Sequence, residues 1–459
     1  MKISNNIKMP IKSIVLFFIA IFLYSCESLI EVDLPNDRMN QEDVYKNVNT
    51  TKSALNAIYI NIRNNPFFSK NSSGINYRMS LYTDELNYLG SSAEYFHQNN
   101  ILPNDNIIIN WWNTAYKNIY GINLFINKLS ESTYIDASIK NQFLGEAYTL
   151  RALHYQNLLQ LFGDLPYTTS IDYSYNTSLN KIPINEVLLL IEKDLLLATD
   201  LLSDTYRDPN RFYVNKSVAE LLLAENYLLQ QRNDQAEIYS QNVINNSQYQ
   251  IEVDLSQTFK KIAKSTIWQF SLEQNTTITP EANLYIFTAL STATTALSSK
   301  LIDLFEPEDL RRANWINEIS IDNQVYYGAF KYKNKANNTD ESSIFYRIEH
   351  AYFFLAESLF KQDKNIQAIE VLNKIRNKRG LTPLEPNLSK NELEEALLNE
   401  SFKEFFTESN QRFFTLKRFD RLDDLKSTKT NWQDYHRLLP IPESQLLLNK
   451  NLNPQNSGY

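Results

Sequence analysis

The sequence predicts a mainly α-helical protein, a tetratricopeptide-like scaffold of helix pairs with irregular, loop-rich insertions and few short strands. Three observations carry this. Apolar side chains recur at spacings of three and four through much of the 459 residues, as they do along one face of a helix. A Leu-Ala-Glu segment followed by Gln-Ala occurs twice, at Leu223-Ala224-Glu225 with Gln235-Ala236 and at Leu355-Ala356-Glu357 with Gln367-Ala368, the copies 132 residues apart. Only 8 glycines are present, too few for the dense turns of an all-β chain.

The first residues carry an address. Lys2, Lys8 and Lys12 precede the apolar run Ile14 to Tyr24, which is shorter than the ~20 residues of a membrane span and reads as an export signal over residues 1–25. The run ends in Leu23-Tyr24-Ser25-Cys26, which resembles a bacterial lipobox with Cys26 as the lipid attachment point. Cys26 is the single cysteine, so no disulfide framework or cysteine-based metal site is expected. Residues 26–41, with Glu27, Glu31, Asp33, Pro35 and Asp37, read as a tether, and 42–459 as one domain.

Helices follow in order. Trp112, Tyr116, Ile119, Ile122, Phe125, Ile126 and Leu129 share one face, and a second run from Phe143 to Phe162 is closed by Gly163 and Pro166. Further helices fit Asn185–Leu202, Lys216–Gln230, Asp234–Asn245, Arg347–Lys361, Asn365–Asn377 and Asn391–Glu408. In each copy of the repeat the two alanines flank a short polar turn, Arg232-Asn233 or Asp363-Lys364. Two helices approach closely where their side chains are smallest, and stacked hairpins bury faces that one hairpin cannot. Between the pairs, residues 63–110 and about 246–340 are rich in Asn, Ser, Thr, Tyr and Asp, with short strands expected at Ile267–Phe270 and Val325–Tyr332. Insertions from a rigid scaffold are where binding residues gather.

Charge and composition exclude several function classes. Removing residues 1–25 takes away three lysines and no acid, moving the formal net charge from -8 to -11, a sign that disfavours nucleic acid and anionic membrane surfaces as direct partners. No later stretch approaches 18 uninterrupted apolar residues, so membrane attachment is expected through a lipid or a partner. The glycines lie too far apart for a phosphate-cradling loop, and His97, His154, His350 and His436 have no partner at metal-ligand spacing. No catalytic group, cofactor or metal is therefore expected. Asp84-Glu85 is left with two readings, an exposed loop acid that accepts from ligand hydroxyls or a helix-start cap.

A catcher of sugars or peptides needs flat rings beside amides and carboxylates. The loops offer Tyr77, Arg78, Tyr82, Asp84, Asn87, Tyr88, Tyr95, Phe96, Trp315, Tyr326 and Tyr327 as candidate ligand contacts.

Four segments resemble the SusD/RagB family, in its order. Glu146 to Tyr155, running through Leu158 to Phe162-Gly163-Asp164-Leu165-Pro166, is similar to its Glu, Arg-Ala, aromatic and Gly-Asp-x-Pro signature. Tyr346-Arg347-Ile348-Glu349, Ala356-Glu357, Leu372-Asn373-Lys374-Ile375-Arg376 and Arg379-Gly380-Leu381 resemble its second signature. Glu400, Glu404, Glu408, Arg412, Phe413-Phe414 and Leu416-Lys417-Arg418 match its acidic helix, with Ser401, Ser409 and Thr415 where the family usually has Arg, Gly and Asp. Leu439-Pro440-Ile441-Pro442 and the tail Gln455-Asn456-Ser457-Gly458-Tyr459 are similar to its ending. Arg151, Arg347, Arg376 and Glu146 sit among apolar residues and are expected to pair inside the scaffold, with the tail docked on the body.

The resemblance implies an outer-membrane lipoprotein, held by Cys26 on the outer face, that binds an oligosaccharide and hands it to a SusC-like TonB-dependent barrel. A RagB-like peptide cargo is the alternative. A surface glycoside hydrolase, needing two convergent carboxylates, and a purely structural helical adaptor are the readings from other classes.

Overall fold

The structure is a computed structural model and describes residues 43–274 and 277–459. The export signal 1–25, Cys26 and the tether 26–41 lie outside the described residues. Helices of eight or more residues are α1 (Val48–Asn64), α2 (Ile75–Tyr82), α3 (Asn106–Glu131), α4 (Ala137–Phe162), α5 (Ile184–Leu201), α6 (Lys216–Leu229), α7 (Asn233–Asn245), α8 (Ile348–Lys361), α9 (Asn365–Lys378), α10 (Lys390–Phe405) and α11 (Gln411–Arg418). The chain is thus mainly helical, as its periodicity predicts.

Helices α4, α6, α8 and α10 form an inner row in which each touches the next, while α5, α7 and α9 pack outside it. Helix α7 packs on both α6 and α8, so the stack stays continuous although 102 residues of chain, 246–347, leave and return between α7 and α8. Much of the inner row is buried all round: in α4 every residue from Thr149 to Phe162 is buried, against three residues of the outer helix α7. A helix covered on all sides is a core element. Its polar groups therefore need partners, and Arg151 grips Asp194 of α5 with Nε and Nη2, both at 2.7 Å. Gly163, at φ +81°, ends α4 where a side chain would meet Leu438.

The two repeat copies are alike down to the turn. Ala224, Ala236, Ala356 and Ala368 are all fully buried, which lets each pair of helices close up. Gln231 and Asp363, again 132 apart, both take the left-handed conformation, φ 60° and 59°. The next amide in each then reaches back: Arg232 to the Tyr227 carbonyl at 2.9 Å and Lys364 to that of Leu359 at 3.0 Å. These bonds satisfy carbonyls that the helix end would leave open.

Three two-stranded antiparallel sheets lie in the insertions: β1 (Leu86–Tyr88) with β3 (Thr295–Leu297), β2 (Thr266–Gln269) with β6 (Ile344–Arg347), and β4 (Ile316–Ile321) with β5 (Gln324–Ala329). Strands β4 and β5 join through Asp322-Asn323, at φ 51° and 61°, the two-residue turn whose twist matches a hairpin. Three expectations shift. The 63–110 insertion contains α2, α3 begins at Asn106, and the helix expected to reach Glu408 stops at Phe405. It stops because Thr407, Ser409 and Asn410 all take positive φ, which turns Glu408 back to accept from Arg347 Nε at 2.9 Å.

That turn completes an interior ion network. Arg347 also donates to Glu404 (2.6 Å), Arg379 to Glu349 and Glu404 (2.7 Å each), and Arg311 to Asp309 (2.7 Å) and Glu400 (2.8 Å). Arg376 pairs with Glu400, and Glu146 accepts from Arg207 at 2.9 Å. Acids and bases alternate, so little net charge is buried. The tail is docked as expected: the Asn456 amide donates to the carbonyls of Phe162 (2.8 Å) and Leu439 (2.7 Å), and Gln455 clasps the backbone of Ile441 at 2.8 Å in both directions.

Candidate functional site

A cleft of about 580 Å³ opens among α2, the loop that follows β1, the start of α3 and the segment around Leu284 and Thr294. Five of the residues singled out from the sequence meet there: Tyr77, Arg78, Tyr88, Tyr95 and Phe96. They differ in what they offer. Tyr95 is half exposed, whereas Tyr77 and Phe96 are nearly buried and give the cleft its floor.

Each is held by local structure. Tyr77 and Arg78 are consecutive on α2, and the Arg78 guanidinium lies 5.6 Å from the Tyr77 ring and 5.7 Å from that of Phe96. Arg78 pairs with Glu94, whose other oxygen accepts from the His97 amide at 2.7 Å and so fixes the loop. The Arg78 Nε is buried without a hydrogen-bond partner among the described residues. Tyr88 ends β1 with its hydroxyl 3.1 Å from Ser92 Oγ. Asp105 caps α3 by accepting from the Ile107 amide at 2.7 Å. The acids at the cleft are thus engaged, Glu94 by an arginine and Asp105 by a helix end. The floor is also rigid, because Phe96 packs at 5.3 Å from the Trp111 ring.

The other sequence candidates fall elsewhere, for physical reasons. Asn87 is exposed but adjoins Tyr88 on a strand, so the two side chains take opposite faces. Tyr82 is a core residue, its ring among those of Phe413 (5.9 Å) and Trp432 (5.5 Å). Asp84 is neither a loop acid nor a cap; it is buried and takes two hydrogen bonds of 2.8 Å from Arg412. Trp315 is fully buried in the ion network, with Lys331 at 5.1 Å and Arg379 at 5.2 Å from its ring. Tyr326 packs against the small apolar cluster of Phe287, Ala293 and Ala296, and Tyr327 lies under the Arg312 guanidinium at 4.9 Å. Neither of the two lines the cleft. Sequence reading also missed Glu94, Asp105, Leu284 and Thr294; of these only Asp105, a cap before an apolar run, left a local trace.

Among the described residues no group of three or more His, Cys, Asp or Glu side chains is placed to hold a metal, and no helix is long and apolar enough to cross a membrane.

Comparison with known proteins adds the following. A family model described as "Starch-binding associating with outer membrane" matches residues 32–228, and one described as "SusD family" matches residues 316–459. Leu284 and Thr294 lie between the two matches. SusD-like protein P25 of Formosa agariphila is 23% identical, with 98% of this chain and 100% of that protein aligned. A SusD superfamily protein from Bacteroides vulgatus shares the fold at a TM-score of 0.78 and 18% identity, covering 90% of this chain and 100% of the other. Surface glycan-binding protein A from Bacteroides thetaiotaomicron, solved in complex with laminarihexaose, shares it at a TM-score of 0.74 and 17% identity, covering 89% and 99%.

Proposed function

This chain belongs to the SusD/RagB family, and from that premise we propose that it is a surface glycan-binding protein whose aromatic cleft captures an oligosaccharide. The observation that carries the reading is the convergence of Tyr77, Arg78, Tyr88, Tyr95 and Phe96 on one cleft of about 580 Å³. Rings there give the apolar faces of a sugar something to stack on, and Arg78, Asn106 and the Asp105 oxygen that does not cap the helix give its hydroxyls hydrogen-bonding partners. The fold is shared with a protein solved with laminarihexaose, a hexasaccharide, which supports a glycan over a peptide.

The protein works as a catcher beside a SusC-like TonB-dependent barrel in the outer membrane, anchored through Cys26 on the outer face. A binder at a pore raises the local ligand concentration and encloses the cargo before transport. Binding, and not hydrolysis, is its role.

Calorimetry of the full chain against a glycan panel and a peptide pool tests the cargo. Saturable glycan binding that weakens in Tyr88→Ala and Tyr95→Ala supports the reading. Binding of peptides alone, or release of sugar by the purified protein, overturns it. A pull-down that recovers no barrel protein, with uptake unchanged in a deletion strain, overturns the delivery role.

A further inference from the structure

A second cleft, of about 340 Å³, adjoins the first. Asn71 lines it while the next residue, Ser72, lines the aromatic cleft; Pro280 lines it while Leu284, one helical turn on, lines the other. The two clefts therefore share the 69–74 turn and the short helix Pro280–Tyr285 as a dividing wall.

The second cleft has a different chemistry. Tyrosines are absent from its lining, and two cations that make no ion pair among the described residues are present, Lys70 and Arg63. Lys70 is only 6% exposed. Among the described residues its Nζ has no hydrogen-bond acceptor and no carboxylate within ion-pair distance; the Phe345 ring, 4.7 Å from Nζ, is its contact. Arg63 donates to the Ser271 carbonyl (3.0 Å) and hydroxyl (3.3 Å) and to Asn64 Oδ1 (2.8 Å), and makes no ion pair among the described residues.

An ammonium buried without an acceptor is costly, and folded proteins supply one. This protein does so for its other deeply buried lysines. Lys331 donates to the carbonyls of Glu404 and Phe406 at 2.9 and 2.8 Å, Lys429 to those of Leu81 and His97 at 2.7 and 3.2 Å, and Lys403 to the Glu306 carboxylate at 2.6 Å. Lys70 is the exception among the described residues: its Nζ has no protein acceptor, is not sealed from solvent, and belongs to a side chain that lines an open cleft.

Two acids lie near. Glu273 is exposed on the rim, where solvent screens it. Glu281 is buried, accepts from Ser343 Oγ at 2.7 Å, and is pushed up to about 7 by burial, so it cancels the lysine's charge only in part at neutral pH.

We propose that this second cleft binds the anionic substituent, carboxylate or sulfate, of an acidic sugar residue, with Lys70 as the buried counter-charge and Arg63 at the mouth. The sugar as carrier rests on the glycan-binding reading of the adjoining cleft; the anion rests on Lys70 and Arg63. An oligosaccharide running over the dividing wall would place its neutral rings on the tyrosines and its charged unit on Lys70.

Titration calorimetry of the full chain with hexasaccharides of matched length, one neutral, one uronic and one sulfated, tests this on wild type, Lys70→Met, Arg63→Gln and Tyr88→Ala. In wild type one acidic hexasaccharide is expected to bind at least about tenfold more tightly than the neutral one, and which of the two does so identifies the anion. Lys70→Met is expected to abolish that difference with neutral binding unchanged, and Arg63→Gln to reduce it. Arg63→Gln carries the test if Lys70→Met does not fold, since Arg63 is only half-buried. Equal affinity for neutral and acidic ligands, or a preference that survives both cleft variants, overturns the inference. Binding lost in Tyr88→Ala with no effect at Lys70 or Arg63 leaves the aromatic cleft standing alone. Acidic binding that needs Lys70 and ignores Tyr88 leaves the second cleft standing alone. No binding of any hexasaccharide overturns both.

Discussion

Glu225 and Glu357, the glutamates of the two Leu-Ala-Glu segments, converge on one guanidinium: Arg418 lies 3.5 Å from Glu225 and 2.9 Å from Glu357. The sequence repeat thus has a second purpose beyond helix crossing, because equivalent positions on α6 and α8 jointly bind α11 to the scaffold. Replacing Arg418 by Leu takes the guanidinium from two buried carboxylates and leaves Glu357 with only Lys361, at 3.8 Å. The expected loss is ~3–5 kcal/mol of unfolding free energy, measured in urea; a loss below about 1 kcal/mol refutes the clamp.

Neighbouring acids should respond to pH in opposite directions. Burial alone would raise Asp84, but the Arg412 guanidinium and the Lys300 ammonium outweigh it and hold its carboxyl down to about 2. Its stabilisation is complete above its ordinary value of 3.8 and is lost as pH falls towards 2. Asp84→Asn should therefore cost ~2 kcal/mol at pH 6, and the deficit should shrink between pH 4 and 2.

Glu85 has the reverse sign. Burial, with a smaller push from Asp84, raises it to about 7, so the folded state holds a proton that the unfolded chain releases near 4.5, and its contribution falls as pH rises from 4.5 through 7. Glu85→Gln, which keeps an acceptor for the Thr407 amide, should match wild type at pH 4.5 and exceed it by up to ~3 kcal/mol at pH 8. Stability curves that stay parallel across that range would disprove it.

The crossing alanines make a packing test. Ala236→Leu or Ala368→Leu forces a larger side chain into a fully buried contact and should cost ~1–3 kcal/mol. Ile238→Leu, at a half-exposed position of the same helix, should stay within ~0.5 kcal/mol. Thermal melts of the three variants compare them directly.

Binding and stability should separate by residue. Tyr88→Ala and Tyr95→Ala are each expected to weaken glycan binding about fivefold to tenfold with little change in melting temperature. Trp315→Ala should do the opposite, losing ~3–5 kcal/mol of stability while the folded fraction keeps its affinity. A Trp315→Ala protein that is stable but unable to bind would return that ring to the site.

Much of the scaffold is legible in the residues because its causes are local. Spacings of three and four mark the helices, Gly163 marks the end of α4, and the 132-residue repeat marks the paired alanines and a turn between them, read at Arg232-Asn233 in the first copy where the backbone turns at Gln231. The cleft is legible only in part. Tyr77, Arg78, Tyr88, Tyr95 and Phe96 lie within twenty residues of one another, so reading the loop as a unit finds them together. Tyr82, Asp84 and Trp315 look the same on paper, as rings and acids among polar neighbours. Their burial is caused by residues far away, Arg412 standing 328 positions from Asp84.

The sequence by itself determined the helical periodicity, the repeated hairpin and the family signatures, since each depends on neighbours a few positions apart. Only the tertiary structure decided which aromatic and charged side chains face a cleft and which fill the core. Exposure is a property of what the distant chain leaves uncovered, and at Lys70 it leaves a cation beside a cleft with no acceptor among the described residues.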